Sequence, residues 1–397
     1  MNDDFKQNYQ EQKPDIEIIL DDGADTSMGQ NTNYAPHKHF KKIKNREPLT
    51  KKEKWIVGIE ITLIILGITA IIFLLLHPTK DKAKKVAVVK VAKTAPAIVY
   101  KSQLTGMPVT AAQAAMPVTG VMIENSDGAR PQSGLSEAGV IFEAIAEGGV
   151  TRFLALFQEG NPTSLGPVRS ARPYYVDWLS QFDAAYAHTG GSPDGLAAIS
   201  NNNVKNLDEF INAGAYTRIA TRAAPHNLYT SMPALINLEK SKGYTKSTFT
   251  SFMRKADKPL VIPTATKINI NIAGADYAIH YDYDKLTNSY NRSEAGVPMV
   301  DNNTGKQLHP KVVIAIVVPI TNGALDASGA YYSEYSDIGS GKAYIFQDGG
   351  VEEGTWSKSS PTSQLLFGDA NSSPQAINAG QTWVTAVGTA SLVTYSN

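Results

Sequence analysis

Cysteine is absent from all 397 residues. That removes disulfides, thiolate nucleophiles, Cys-ligated zinc, iron–sulfur clusters and lipidation through cysteine. Net charge is absent as well: Lys+Arg and Asp+Glu both number 37, so nothing points to a nucleic-acid binder built on bulk positive charge. No H-E-x-x-H or EF-hand pattern occurs, so no metal site is expected, and the sequence assigns no cofactor. Ser192 stands in Gly190-Gly-Ser-Pro193 rather than in a G-x-S-x-G elbow, and is read as a turn residue. No fixed-period repeat suggests a propeller or solenoid.

The zero balance conceals a segregation. Residues 1–35 hold two basic and eight acidic side chains, residues 36–93 fourteen and four, and the rest twenty-one and twenty-five. Inside the basic stretch, Trp55–Leu76 reads WIVGIEITLIILGITAIIFLLL with Glu60 as its one ionisable group. At 1.5 Å per residue this run crosses a hydrocarbon core of about 30 Å. It lies behind a polar stretch of 54 residues, unlike a cleaved leader, and is expected to remain as a single anchor. Eight basic residues precede it within 38–54 and six lysines follow within 80–93, which favours a cytoplasmic N-terminus and an outer-face C-terminal part. Residues 1–54 are too polar to bury a core and are expected to be disordered, with 77–116 as a tether.

Beyond the tether, residues 117–255 mix two periodicities. Val118–Glu124, Val140–Glu147, Thr151–Gln158 and Ala184–His188 predict strands; Pro173–Phe182 and Ser231–Lys242 predict helices. From 259 to 397 the pattern becomes strands with turns: Lys267–Ile272, Tyr277–Tyr283, Lys311–Pro319, Lys342–Gln347, Glu352–Lys358 and Thr382–Val387. Asn302–Gly305 and Asp348–Gly350 supply turn residues, and Gly339–Ala343, which imitates part of a phosphate loop, is read as another turn. The expected class is α+β or α/β: a single N-terminal transmembrane helix, a mixed α/β domain over 117–255 and a mostly β domain over 259–397.

The densest polar grouping is Gly166-Pro-Val-Arg169-Ser170-Ala-Arg172-Pro173, just before a predicted helix. Unpaired N–H groups at a helix start, two guanidinium forks and a hydroxyl suit a phosphate or carboxylate. The alternative is that Ser170 caps the helix while Arg169 and Arg172 pair with acids such as Asp177 or Asp208. His188 closes an apolar run and is either a hydrogen-bonded structural residue or a proton acceptor and ligand contact. Its candidate partner is His226, followed by Asn227 and preceded by Arg218 and Arg222, so that two histidines and four arginines converge if the chain brings them together. Glu143 and Glu147 are expected on one face with Arg152 nearby, forming either a salt-bridge network or an acid and base pair. Glu147 joins His188 and His226 as a catalytic candidate.

Val121–Asn125, Ala129–Glu137, Glu147–Leu154, Gly166–Pro173, His188–Pro193 and Ala224–Thr230, in this order, resemble the YerB-like lipoprotein family of bacteria, from about Pro117 to the C-terminus. Tyr281-Asp282, Tyr290-Asn-Arg292 and Gly354-Thr-Trp356 extend the resemblance into the second half. The resemblance implies a two-domain envelope protein displayed outside the cytoplasmic membrane, and implies no reaction. One departure is the missing lipid-bearing cysteine, whose anchoring role falls to Trp55–Leu76. Three functions stay open: binding of an anionic cell-wall polymer or phosphorylated glycan; a phosphotransferase or hydrolase with the layout of LytR-CpsA-Psr proteins; and a non-catalytic assembly scaffold.

Overall fold

In the computed structural model, residues 48, 50–76 and 99–397 are described. They fall in two compact units, one within Met1–Val91 and one within Ala92–Asn397. The expected disorder of residues 1–54 concerns residues almost wholly outside the described ones, and so does the first part of the tether, 77–98.

In the first unit the apolar run is one helix, Lys51–Leu76. It begins four residues before Trp55 because Thr50 and Glu53 cap it reciprocally: the Thr50 amide donates to the Glu53 carboxylate at 2.8 Å, and the Glu53 amide donates to Thr50 Oγ1 at 3.4 Å. By length and composition it is able to cross a membrane.

In the second unit, strands from both halves of the sequence share a twelve-stranded mixed sheet. The seam is Thr382–Val387, which runs parallel to Val312–Val317 on one side and to Val140–Glu147 on the other. All six of its residues are buried, as expected of a strand covered on both faces. Outward from the seam lie Gly339–Gln347, Gly350–Lys358 and Leu366–Gly368 in one direction. In the other lie Val150–Phe157, Thr119–Glu124, Ala185–Ala187 and Lys205–Asn206. The helices Pro173–Ser180 and Pro193–Asn201 cover one face through Tyr174, Tyr175, Trp178, Leu179 and Ile199. The opposite face packs against the helix Met232–Ser241 in one half. In the other half it packs against a five-stranded antiparallel sheet built from Lys267–Asn271, Ala278–Asp284, Ser289–Glu294, Val297–Pro298 and Val393–Ser396. The fold is therefore mixed α/β with a mostly β C-terminal region, as the alternating patterns indicated.

Three local expectations change. Gly339–Ala343 is no turn: it opens the nine-residue strand Gly339–Gln347, paired from Gly339↔Lys358 to Gln347↔Gly350, because small residues there let the backbone lie against Trp356 and Val317. Ser192 is the N-cap of the Pro193 helix, its hydroxyl accepting from the Gly195 amide at 3.1 Å. Residues 99–116, read as tether, are already folded. Leu104 is fully buried, and the side chains of Ser102 and Thr105 bond to Gln158 and Glu159.

One buried ion pair crosses between the two sheets. Arg292, from the five-stranded sheet, places Nη2 3.0 Å from Glu143 Oε2 and donates from Nη1 to the Tyr281 hydroxyl at 2.7 Å. Its guanidinium lies 4.4 Å from the Trp383 ring centroid, and the Trp383 indole N–H donates to Glu143 at 3.2 Å. Both charges are fully buried, and burial pushes the Glu143 carboxyl upward against the attraction of Arg292. Removing one partner strands the other. Arg292→Ala is expected to lower unfolding free energy by about 3–5 kcal/mol, and Arg292→Met combined with Glu143→Gln by much less. Urea unfolding of both variants checks this, and equal losses would show that the pair is not the source of the stability.

Candidate functional site

The sheet ends that carry the polar motifs lie on the face covered by the Pro173 helix. Arg152 stands opposite Glu124 on one neighbouring strand and Ala144 on the other, sharing a face with Leu154 and Leu156. Glu147 reaches this face through a bulge. Pairing passes from Ile145↔Thr151 to Glu147↔Val150, so Ala146 is an extra residue that reverses the alternation. Glu143 and Glu147 consequently point to opposite faces, which corrects the expectation that they share one: Glu143 serves Arg292, and Glu147 serves the arginines. Gly148 and Gly149, at φ 55° and 83°, close the hairpin that puts Glu147 beside Arg152.

A ladder of alternating charge results, running Arg169, Glu124, Arg152, Glu147, Arg172, with an ion pair at each step except Glu124 to Arg152, which are neighbours by strand register. Arg152 donates to Glu147 and, at 2.8 Å, to the Ser170 carbonyl. Arg172 donates from Nε to the same Glu147 at 3.1 Å and from Nη1 to the Ala171 carbonyl at 2.6 Å, and its guanidinium stacks 4.8 Å from the Tyr332 ring centroid. Burial, then the charge of Arg172, push Arg152 down to about 10 against the pull of Glu147. Arg169 is held least: its Nε lies 3.4 Å from Glu124 Oε1 without hydrogen-bond geometry. Its side chain remains 25% exposed, against 3% for Arg152 and 5% for Arg172.

Beside Arg169, Glu124 Oε1 also accepts from the Ser126 hydroxyl at 2.7 Å and faces His226 Nδ1 at 3.0 Å. Ser126 Oγ lies 3.2 Å from the same His226 nitrogen. The imidazole packs over Gly128, where a Cβ would come within 2.9 Å of its Cδ2. Arg222 fastens this turn by donating to the carbonyls of Gly128 at 3.1 Å and Pro131 at 2.6 Å, while exposed Arg218 donates to Asn227 Oδ1 at 3.1 Å.

The expected convergence is therefore partial. Arg169 and His226 meet on Glu124, with Arg222 holding the adjacent turn. His188 lies apart, fully buried, its Nδ1 2.8 Å from the Gly190 carbonyl and its Nε2 2.9 Å from Asn206 Oδ1. Burial pushes its pKa down, and it serves the turn rather than a ligand. Arg172 is occupied by Glu147, so the anion expected at the helix entrance is the protein's own. Ser170 does not cap that helix: Arg172 is the N-cap residue and makes no side-chain cap bond. The acids Asp177 and Asp208 are engaged elsewhere, by Asn202 and the Gly190 amide. Glu124, Ser126 and Tyr332 were not singled out from sequence. The only signal was the polar triplet Glu124-Asn125-Ser126 ending an apolar strand.

A second polar set, also unforeseen, joins distant segments. Burial pushes Asp337 up to about 7, with like charge from Asp177 adding to it, and pushes Lys358 down to about 8. Lys358 donates to the carbonyl of Pro361 at 2.9 Å. In the folded chain Asp337 keeps its proton to about pH 7, whereas unfolded it releases it near 3.8. The folded form thus binds more protons between those values, and stability falls as pH rises from about 4 to 7, by at most about 1.4 kcal/mol per pH unit for one proton. Urea unfolding across this window should show the decline, and Asp337→Asn should reduce it. An unchanged slope in the variant would assign it elsewhere.

Family models for a "Protein of unknown function (DUF3048)" match the chain twice: the N-terminal domain over residues 104–245 and the C-terminal domain over 268–384. A Bacillus subtilis (strain 168) protein named "Putative lipoprotein YerB" is 31% identical over 260 residues, covering 64% of this chain and 77% of that protein. The crystal structure of the YerB protein from Bacillus subtilis superposes with a TM-score of 0.67 at 28% identity, covering 75% of this chain and 99% of that one. With both parts matched in order and the Glu124, Glu147, Arg152, Arg169, Arg172 and His226 cluster inside the first, the chain belongs to the DUF3048 family.

Proposed function

We propose that this chain is a membrane-held envelope protein that binds an anionic polymer of the cell wall, such as a phosphorylated glycan, through Arg169, with His226 and Ser126 at its side. The helix Lys51–Leu76 serves as the anchor, and the excess of basic residues before it favours an outward folded unit. One observation carries the binding reading. Arg152 and Arg172 are held on one carboxylate, that of Glu147, whereas Arg169, 3.4 Å from Glu124 without hydrogen-bond geometry, is one-quarter exposed at the end of the ladder. A cationic group so loosely paired beside a half-buried histidine is a costly arrangement that functional sites tend to keep.

The same geometry argues against a hydrolase built on Ser126, His226 and Glu124. A relay needs the acid on one imidazole nitrogen and the hydroxyl on the other, whereas here both approach Nδ1. Binding without turnover is the reading favoured over the phosphotransferase or hydrolase alternative.

The test is titration of the full chain, in detergent, with a phosphate-bearing wall polymer and with its neutral counterpart. Binding should be restricted to the charged polymer and weaken with salt. Loss of one charge-assisted contact of about 1.5–3 kcal/mol in Arg169→Ala should weaken it at least about tenfold. Equal binding by wild type and Arg169→Ala, or none at low salt, would overturn the reading.

A further inference from the structure

We infer that the folded unit has its own lipid-contacting tip, formed by Val261, Ile262 and Leu286, which docks on the bilayer that holds the anchor helix. These side chains are 87%, 77% and 94% exposed, an unusual concentration of bare aliphatic surface for two neighbouring loops. The loops are tied together: Lys285 donates to the Val261 carbonyl at 2.8 Å, so an ammonium group stands at the root of the apolar tip. Lys258, on the same approach, is exposed, and its amide donates to the Asp348 carboxylate at 3.0 Å. Lys285 is balanced at the root of the tip by Asp284, whose carboxylate accepts from the Leu286 amide at 2.9 Å, so the attraction to a bilayer comes from the aliphatic side chains and not from net charge.

Two further observations select the bilayer as occupant. The chain enters the folded unit near this tip. Arg254 donates to the carbonyl of Leu104 at 2.7 Å; its neighbour Lys255 pairs with Asp348, and the Asp348 carbonyl accepts from the Leu260 amide at 2.9 Å. Residues 77–98 separate Leu76 from this entry, and a chain of that length spans at most ~80 Å. A tether so short raises the effective concentration of bilayer at the tip to roughly the millimolar range, so a patch too weak to bind vesicles from solution still docks once anchored.

This inference rests on the anchored reading and is independent of the Arg169 site. Because the chain has no cysteine, Leu286→Cys and, as a control on another surface, Phe210→Cys take an environment-sensitive fluorophore at one position each. Each labelled full-length chain is reconstituted into vesicles containing phosphatidylglycerol. The label at 286 should show blue-shifted emission and lose quenching by aqueous iodide, while that at 210 stays quenched. V261D with I262D should restore quenching at 286. A chain that floats with vesicles yet keeps iodide access at 286 equal to that at 210 overturns the docking. So does protection at 286 that survives V261D and I262D. A chain that does not float overturns the anchored reading itself.

Discussion

Two carboxylates decide what three arginines can do. Glu147 is locked between Arg152 and Arg172, both nearly buried, and Glu124 is shared by Arg169, Ser126 and His226. Taking a guanidinium out of water is costly unless its hydrogen bonds are met, and Glu147 with the carbonyls of Ser170 and Ala171 meets most of them for Arg152 and Arg172, the Arg152 Nε excepted. Among the described residues Arg169 has only Glu124, at 3.4 Å. The ladder thus buries two of its three arginines and leaves Arg169 the most exposed, at a defined edge.

That edge is positioned by a sheet whose parallel seam links residues about 240 apart in sequence. Thr382–Val387 lies against Val140–Glu147, and the Glu143 carboxylate beneath it accepts from Arg292 of the second sheet. The two family segments therefore share a core, and the bulge at Ala146 divides the labour between the glutamates. Glu143 is used to join the sheets and Glu147 to hold the arginines. The hairpin Ile320–Leu325 with Tyr331–Tyr335 completes the enclosure by laying Tyr332 over Arg172.

Much of the architecture was legible in the residues. Runs such as Val140–Glu147 and Thr382–Val387 declare buried strands by composition, and Pro173 marks its helix by the fixed φ it brings to the first turn. Gly339–Lys342 misled because glycine and serine signal turns unless a packing partner needs their small size, and Trp356 is invisible from that stretch. The site was readable only by residue type. Choosing Glu147 over Asp177 as the partner of Arg172 depends on a one-residue bulge, and separating His188 from His226 depends on how far Asn206 and Gly190 enclose the former. Both are properties of tertiary packing that local pattern does not encode.

The proposed binding turns on anion contact by Arg169 rather than by the helix entrance. Diffraction from crystals soaked in tungstate, a heavy mimic of phosphate, addresses it directly through the anomalous signal of the metal. A tungstate is expected within hydrogen-bond distance of the Arg169 guanidinium and beside His226, with Glu147 still bridging Arg152 and Arg172. Tungstate seated before Pro173 with Glu147 displaced, or a Arg169 surface left bare at high tungstate concentration, would contradict it.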